Sequence, residues 1–233
     1  MGVILIPVLY EDDHMVVVSK PGGLLVHRSR EARDNRFLLQ MVRDQMGGRW
    51  LYPVHRLDRA CSGIVVFARS SNDAKLIQES FNGRFSRKYY LAVTRGEMPQ
   101  RLEMDRPLTN RQTGKKQEAR TVFELIRLIK IDDKHFASLV RARIYTGRRH
   151  QIRRHLAHAG NFILGDTTYG KGHINRVYRE RYALPRLCLH AAQLEMVHPV
   201  TGKFLSFTDS IPEDLRDFLV LLPGLQEGVI DCL

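Results

Sequence analysis

Asp58 is the only acidic residue between Trp50 and Ser70, and it stands among arginines in the segment His55-Arg56-Leu57-Asp58-Arg59-Ala60-Cys61-Ser62-Gly63. Guanidinium groups on either side keep a carboxylate ionised, which suits a nucleophile or a general base. The same pattern also describes an aspartate that only salt-bridges its own loop. A second constellation runs Thr146-Gly147-Arg148-Arg149-His150-Gln151-Ile152-Arg153-Arg154-His155. It joins a tight turn, a helix start and dense cationic donors. Arg149 and Arg153 are four apart on one helical face, while Ile152 and Leu156 anchor another. Arginines so placed suit phosphate contacts or pairing with a buried carboxylate. A generic basic helix would account for the charge but not for the Thr-Gly turn before it.

Two other patterns lead nowhere. Gly165-Asp166-Thr167-Thr168-Tyr169-Gly170-Lys171 has the spacing of a phosphate loop, but Gly172 follows where a Ser or Thr must hold magnesium. His150, His155 and His158 form no i, i+4 pair with a nearby carboxylate, so polar or phosphate-facing histidines are expected rather than a metal site. The spacing of Cys61, Cys188 and Cys232 suggests neither a disulfide framework nor zinc, and a reducing cytoplasm is expected.

Charge gives the class of partner. The 37 Lys and Arg against 25 Asp and Glu leave a formal net charge of +12 over 233 residues. From Lys134 to Gly165 there is no acid at all, while seven Lys or Arg and four His fall in that interval. Such segregation makes a cationic surface of the kind that binds a polyanion by releasing its counterions. The 43% apolar content excludes disorder and low complexity. The longest apolar stretch, Val3 to Tyr10, is too short to span a bilayer, and the N-terminus lacks the basic start of a signal peptide. One domain is expected at this length.

These residues must be positioned by short elements. Met15 to Ser19, Leu24 to His27, Tyr52 to His55, Ile64 to Ala68 and Tyr89 to Arg95 read as strands. Ser71 can cap a helix with Ala74, Ile77 and Phe81 on one face and Gly83 past its end. Gly96 to Lys116 is polar and reads as an exposed insertion. Val122 to Ile131 and Phe136 to Tyr145 read as paired strands, the second with arginines on one face and core on the other. Thr146-Gly147 turns into a helix that carries Ile152, Leu156 and Ala159 and stops at Gly160. Cys188 to His190, Leu194 to His198 and Phe204 to Thr208 read as strands. A last helix begins after Pro212 with a stripe of Leu215, Phe218, Leu219 and Leu222. Strands without regular helical crossovers predict an α+β fold, a mixed but mostly antiparallel sheet with flanking helices.

With these motifs in view, the sequence resembles the RluA family of pseudouridine synthases from about Leu9 to Asp214. His55-Arg56-Leu57-Asp58 with Ser62-Gly63 is similar to that family's catalytic loop, Lys88-Tyr89-Tyr90-Leu91-Ala92 to its K-x-Y-x-A strand, and Thr146 to His155 to its T-G-R-x-H-Q-[IL]-R-x-H signature. Gly165-Asp166, Leu189-His190-Ala191 and His198-Pro199 extend the likeness. Val26-His27-Arg28-Ser29, Arg154-His155-Leu156-Ala157-His158 and Asn175-Arg176 resemble a short, tRNA-acting subgroup. Cys61 stands where the family usually has Thr, Phe162 where it usually has Pro, and Gly96 to Arg120 is short.

The resemblance implies a single pseudouridine-synthase catalytic domain over residues 1–233, with no N-terminal S4-type RNA-binding module. It implies cleavage of the uracil N1 to ribose C1′ bond, rotation of the base and rejoining through C5, at uridine 65 of the tRNA T stem. Ribosomal RNA as substrate, or a non-catalytic RNA-binding role for the scaffold, are the alternatives. The stoichiometry calls for no metal and no cofactor. Asp58 would be the essential carboxylate, attacking or deprotonating the nucleoside at C1′. Arg153 would pair with Asp58 and aim it. Tyr90, which alone reads as a core tyrosine, would stack on the flipped base and assist removal of the C5 proton. Arg56 is the expected wedge, and Arg59, Lys88, Arg141, Arg143, Arg148, Arg149, His150 and Lys171 are the expected RNA contacts. The partner is RNA, with no membrane, and the protein is expected to be a monomer.

Overall fold

The computed structural model describes residues 5–28, 35–225 and 228; Ser29 and Cys232 lie outside them. The chain folds as two compact units, residues 1–87 with 191–209 and residues 88–190 with 210–233. The fold is α+β.

The first unit opens with β1 (Val8–Glu11) and β2 (Met15–Lys20), followed by α1 (Leu38–Gln45), β3 (Tyr52–Pro53), β4 (Ser62–Ala68) and α2 (Ser71–Asn82). β2 pairs antiparallel with β1 on one side and β4 on the other, and β3 pairs with the end of β4. All seven residues of β4 are buried, which is why it reads as an unbroken apolar run rather than an alternating one. The core gathers Met15, Val17, Ile64 and Val66 from β2 and β4 around Ile77 and Phe81 of α2. The cap of α2 is Ser70, one residue earlier than expected: its Oγ accepts the Asp73 amide at 3.0 Å. Leu24 to His27, expected as a strand, forms only a single bridge from Leu25 to Phe37, because this segment wraps a buried lysine instead of a neighbouring strand.

In the second unit, β5 (Arg87–Arg95) is followed by β6 (Arg101–Asp105), β7 (Leu108–Thr109), β8 (Lys116–Gln117), β9 (Arg120–Lys130) and β10 (Phe136–Ile144). β10 pairs antiparallel with β5 from Lys88–Ile144 to Arg95–Ala137 without a register shift, and β9 pairs with β10 and β6. Gly96 to Lys116 is therefore not a plain insertion. It contains an edge strand and the small hairpin β7–β8. β6 escapes a hydrophobic reading because its exposed positions are Arg101, Glu103 and Asp105, with only half-buried Leu102 and Met104 between them.

Helices α3 (Gln151–His158) and α4 (Gly172–Tyr182) come next, then β11 (Leu189–Val197), which is one strand where two short ones were expected. β11 forms a hairpin in the first unit with β12 (Phe204–Thr208). The chain ends in α5 (Glu213–Val220), whose Leu215, Phe218 and Leu219 face Leu91, Val93 and Leu139 across a narrow apolar space. These three sheet residues share the β5 and β10 face that also carries Tyr89, Arg141 and Arg143, so α5 covers that face only at one end.

Candidate active site

The loop bearing Asp58 joins β3 to β4 in the first unit, and its backbone is held from below by Lys20. This lysine is fully buried at the end of β2, and its Nζ donates to the carbonyls of Pro21 and Leu24 at 2.8 Å and of Arg59 at 3.2 Å. Gly23 adds a reciprocal pair: its amide donates to Arg59 O at 2.8 Å and its carbonyl accepts from Arg59 Nε at 3.1 Å. Arg59 is thus tied to the segment that follows β2. The Asp58 carbonyl accepts the Cys61 amide at 3.1 Å, closing a tight turn, while buried Leu57 anchors the side away from solvent. Asp58 is half-buried and Arg56 exposed.

Gly63 ends the loop at φ +119°, and a Cβ there would lie 2.4 Å from the Ala191 carbonyl oxygen, so only glycine fits. His55 stacks on Phe81 with centroids 4.3 Å apart and accepts the Val66 amide at Nε2. It is part of the scaffold. His27 is held below the ordinary imidazole range by burial and then by the Arg56 charge, which places that cation beside it.

In the second unit the Thr-Gly turn and α3 are tied together by Gln151. Its Oε1 accepts from the Thr146 hydroxyl at 2.7 Å and the Arg148 amide at 3.0 Å, and its Nε2 donates to Arg120 O and Thr121 Oγ1, both at 3.0 Å. Every hydrogen-bonding position of a buried amide is then used. His155, also fully buried, donates from Nε2 to Arg106 O at 3.0 Å and accepts from Thr121 Oγ1 at Nδ1, 2.9 Å away. Burial, and then the surrounding cations, hold it below its usual range, so it is the neutral tautomer.

Arg153 is buried on the same helix and makes a bidentate pair with Asp166, Nε to Oδ2 and Nη2 to Oδ1, both 2.8 Å. Burial would raise the Asp166 carboxyl, but the Arg153 hydrogen bonds, the Tyr169 and Thr168 amides and the Arg153 charge outweigh it and hold it below the carboxylate range. The Gly165–Lys171 segment is therefore a packed turn around a carboxylate, not a phosphate loop. Gly165 lies so close to the Arg186 carbonyl that a Cβ would meet its oxygen at 2.0 Å. Tyr169, in this turn, receives His150 Nδ1 at 3.2 Å on its hydroxyl, and its ring centroid lies 5.2 Å from Arg153 Cζ and 5.8 Å from Arg111 Cζ. His150 itself has φ 55°, a left-handed backbone at a residue that is not glycine. The three histidines of this region do not converge, and no group of three or more metal-ligating side chains occurs among the described residues.

Strand alternation separates the remaining expected residues. Tyr90 and Lys88 share one face of β5 with their partners Ala142 and Ile144, whereas Tyr89, Arg141 and Arg143 share the other. Lys88 is buried, and desolvation lowers its ammonium pKa to about 8. Arg141 is exposed and bonds Glu124 Oε2 at 2.6 Å, while Arg143 lies between the rings of Tyr89 and Tyr145, 5.9 and 4.6 Å from their centroids. Arg148 donates from Nε to Glu118 O, Arg149 is exposed, and Lys171 Nζ lies 5.3 Å from the Phe162 ring. Lys20, Gln151, Asp166 and Tyr169 were not foreseen as site residues. The signals available were the place of Gln151 in the Thr146–His155 signature and of Asp166 beside Gly165 at the very edge of the acid-free interval.

Comparison with known proteins bears on what this chemistry serves. A family model described as RNA pseudouridylate synthase matches residues 14–158, from the β2 end of the Asp58 scaffold to the end of α3. Proteins named tRNA pseudouridine synthase C are similar to this chain throughout: that of Vibrio cholerae is 37% identical over 97% of this chain and 99% of its own, and that of Haemophilus influenzae 34% identical over 92% and 97%. The solved structure titled Human RNA Pseudouridylate Synthase Domain Containing 4 has the same fold, with a TM-score of 0.73 at 24% identity over 94% of this chain and 95% of its own. Both constellations of residues picked out above fall inside the matched span, and the chain belongs to the RNA pseudouridylate synthase family, as an isomerase that makes pseudouridine.

Proposed function

We propose that the enzyme converts one uridine to pseudouridine in tRNA, at uridine 65 of the T stem, and that residues 1–233 act as one catalytic domain, as a monomer in the cytoplasm. The observation that carries the tRNA assignment is the run of relatives named tRNA pseudouridine synthase C, matched over nearly their whole length. The acid-free cationic interval agrees with a polyanionic substrate.

In this reading Asp58 is the carboxylate that acts at ribose C1′. The N1–C1′ bond breaks, the uracil turns in place, a C5–C1′ bond forms, the C5 proton leaves and N1, freed from the sugar, takes up a proton. No atom is gained or lost and nothing is oxidised. The target base must leave its stack, at a cost of a few kcal/mol, and Arg56 enters the gap it vacates. Tyr90 stacks on the extruded ring and assists removal of the C5 proton, and Arg153 aims the reacting carboxylate. Arg59, Lys88, Arg141, Arg143, Arg148, Arg149, His150 and Lys171 contribute contacts to the RNA.

Release of tritium from 5-tritiated uridine tests this directly. Wild-type protein releases tritium from unmodified tRNA, and Asp58→Asn abolishes release while RNA affinity stays within about tenfold, or roughly 1.4 kcal/mol. Release from ribosomal RNA but not from tRNA would move the substrate. Loss of binding together with turnover in Asp58→Asn would make Asp58 structural.

A further inference from the structure

One concentration of charge in the second unit has no part in the chemistry above. Arg106 follows β6, and Arg154 and His158 are four apart on one stripe of α3. Two hydrogen bonds fasten the segments to each other: His155 Nε2 donates to Arg106 O at 3.0 Å, and Arg154 Nη1 donates to Thr109 O at 3.1 Å. Arg106 and His158 are exposed and Arg154 is half-buried. Asp105, next to Arg106, pairs across the strands with Arg120 and by alternation points to the other face.

The cations act on one another. His158 is held below its ordinary range by burial first and then by Arg106 and Arg154, and His155 feels those two and His158 as well. Among the described residues no carboxylate is among the groups that move either imidazole. Like charges gathered without a counter-charge destabilise the folded chain, and an arriving anion relieves that repulsion. The hairpin that continues from Arg106 adds exposed Arg111, Lys115 and Lys116, a track of cations rather than a single point.

We propose that Arg106, Arg154 and His158 form a subsite that grips a backbone phosphate of the substrate RNA and takes no part in the isomerisation. The inference rests on the RNA substrate proposed above and names residues that hold it. Planar guanidinium forks match phosphate oxygens in pairs, and His158 becomes a third donor once a phosphate beside it stabilises its protonated form.

The experiment measures tRNA affinity against salt for wild type, Arg106→Gln and the Arg106→Gln/Arg154→Gln pair, with kcat for tritium release at saturating tRNA. The double variant should bind about tenfold more weakly at moderate salt, lose about 1 from the log-log salt slope, as for one phosphate contact, and keep kcat within about twofold. Arg154→Lys, which keeps the charge, should restore most of the slope. An unchanged slope in a folded double variant overturns the proposal, as does a loss confined to kcat. In unaltered protein, His158 followed by NMR should titrate at higher pH with tRNA bound than free. No change, or an equal change with inorganic phosphate at matched phosphate concentration, also overturns it. Wild-type protein that releases no tritium from any RNA sinks the proposed function, whereas active wild type with indifferent variants sinks only this subsite.

Discussion

The two motif-bearing regions are immobilised in opposite ways. The Asp58 loop of the first unit is held largely through its backbone: a buried ammonium, Lys20, joins the Arg59 carbonyl to those of Pro21 and Leu24, and Gly23 exchanges one backbone and one side-chain bond with Arg59. The Thr146–His158 segment of the second unit is held by its side chains: the Gln151 amide, the His155 imidazole and the Arg153–Asp166 ion pair each reach out to fixed partners. A loop gripped by its carbonyls takes its shape from the backbone, with stacked His55 and buried Leu57 as side-chain anchors. A helix gripped by its side chains spends them on support and presents the ones in between, Arg149, Arg154 and His158. The lesson is that side chains within one motif divide into those that brace and those that are presented, and that hydrogen-bond partners, not charge, tell them apart.

That contrast is broken most severely by Lys20→Met. Removing the ammonium leaves three carbonyls facing an apolar side chain, and loss of one partner from a buried charged cluster costs about 3 to 5 kcal/mol. Urea unfolding should show that loss, with turnover falling alongside it. If stability holds and only turnover falls, the loop is braced by Gly23 and Arg59 alone.

Next in size is Asp166→Asn, which should cost about 3 kcal/mol at neutral pH by leaving the Arg153 guanidinium buried against a neutral amide. It also has a sign in pH. Because the folded Asp166 carboxyl lies below its unfolded value, its stabilisation is complete above about pH 4 and is lost as pH falls through the folded value. Wild type should therefore shed this stability in acid while Asp166→Asn, which never had it, shows a shallower fall. Parallel acid curves would show that the ion pair contributes nothing net.

How much of this was legible beforehand follows the same division. Buried apolar strands such as Ile64 to Ala68 and the arginine-and-core alternation of β10 declare themselves, because hydrophobic period survives in the sequence. α4 does not: only Asn175 and Tyr178 of its eleven residues are buried, so it carries no stripe. α1 is hidden for the same reason, with only Leu38 and Val42 buried. Asp58 and Arg153 stand out by type and spacing, yet Asp166 as a partner of Arg153 requires a turn thirteen residues away to pack back on the helix. Lys20 reads as the polar end of a strand, because nothing local reports that a carbonyl 39 residues away, that of Arg59, joins those of Pro21 and Leu24 on it. Arg141 looks identical to Arg143 by charge pattern, and only the strand register reveals that Glu124 stands opposite the first.

Lys88 sharpens the comparison through a smaller effect, since it is a second buried ammonium. Its pKa is lowered by burial from 10.5 to about 8, so protonation favours the unfolded chain over the folded one. The penalty is full below pH 8 and is relieved as pH rises from about 8 to 10.5, opposite in sign to a lysine that gains a strong ion pair on folding. Comparing wild type with Lys88→Met cancels the other alkaline groups, which titrate in both proteins. Wild type should gain about 2 kcal/mol relative to the variant across that window, a discounted value of the 1.4 kcal/mol per pH unit that linkage allows. The measurement is chemical denaturation at a series of pH values. A constant difference between the two proteins would mean that Lys88 stays charged in the fold throughout the window.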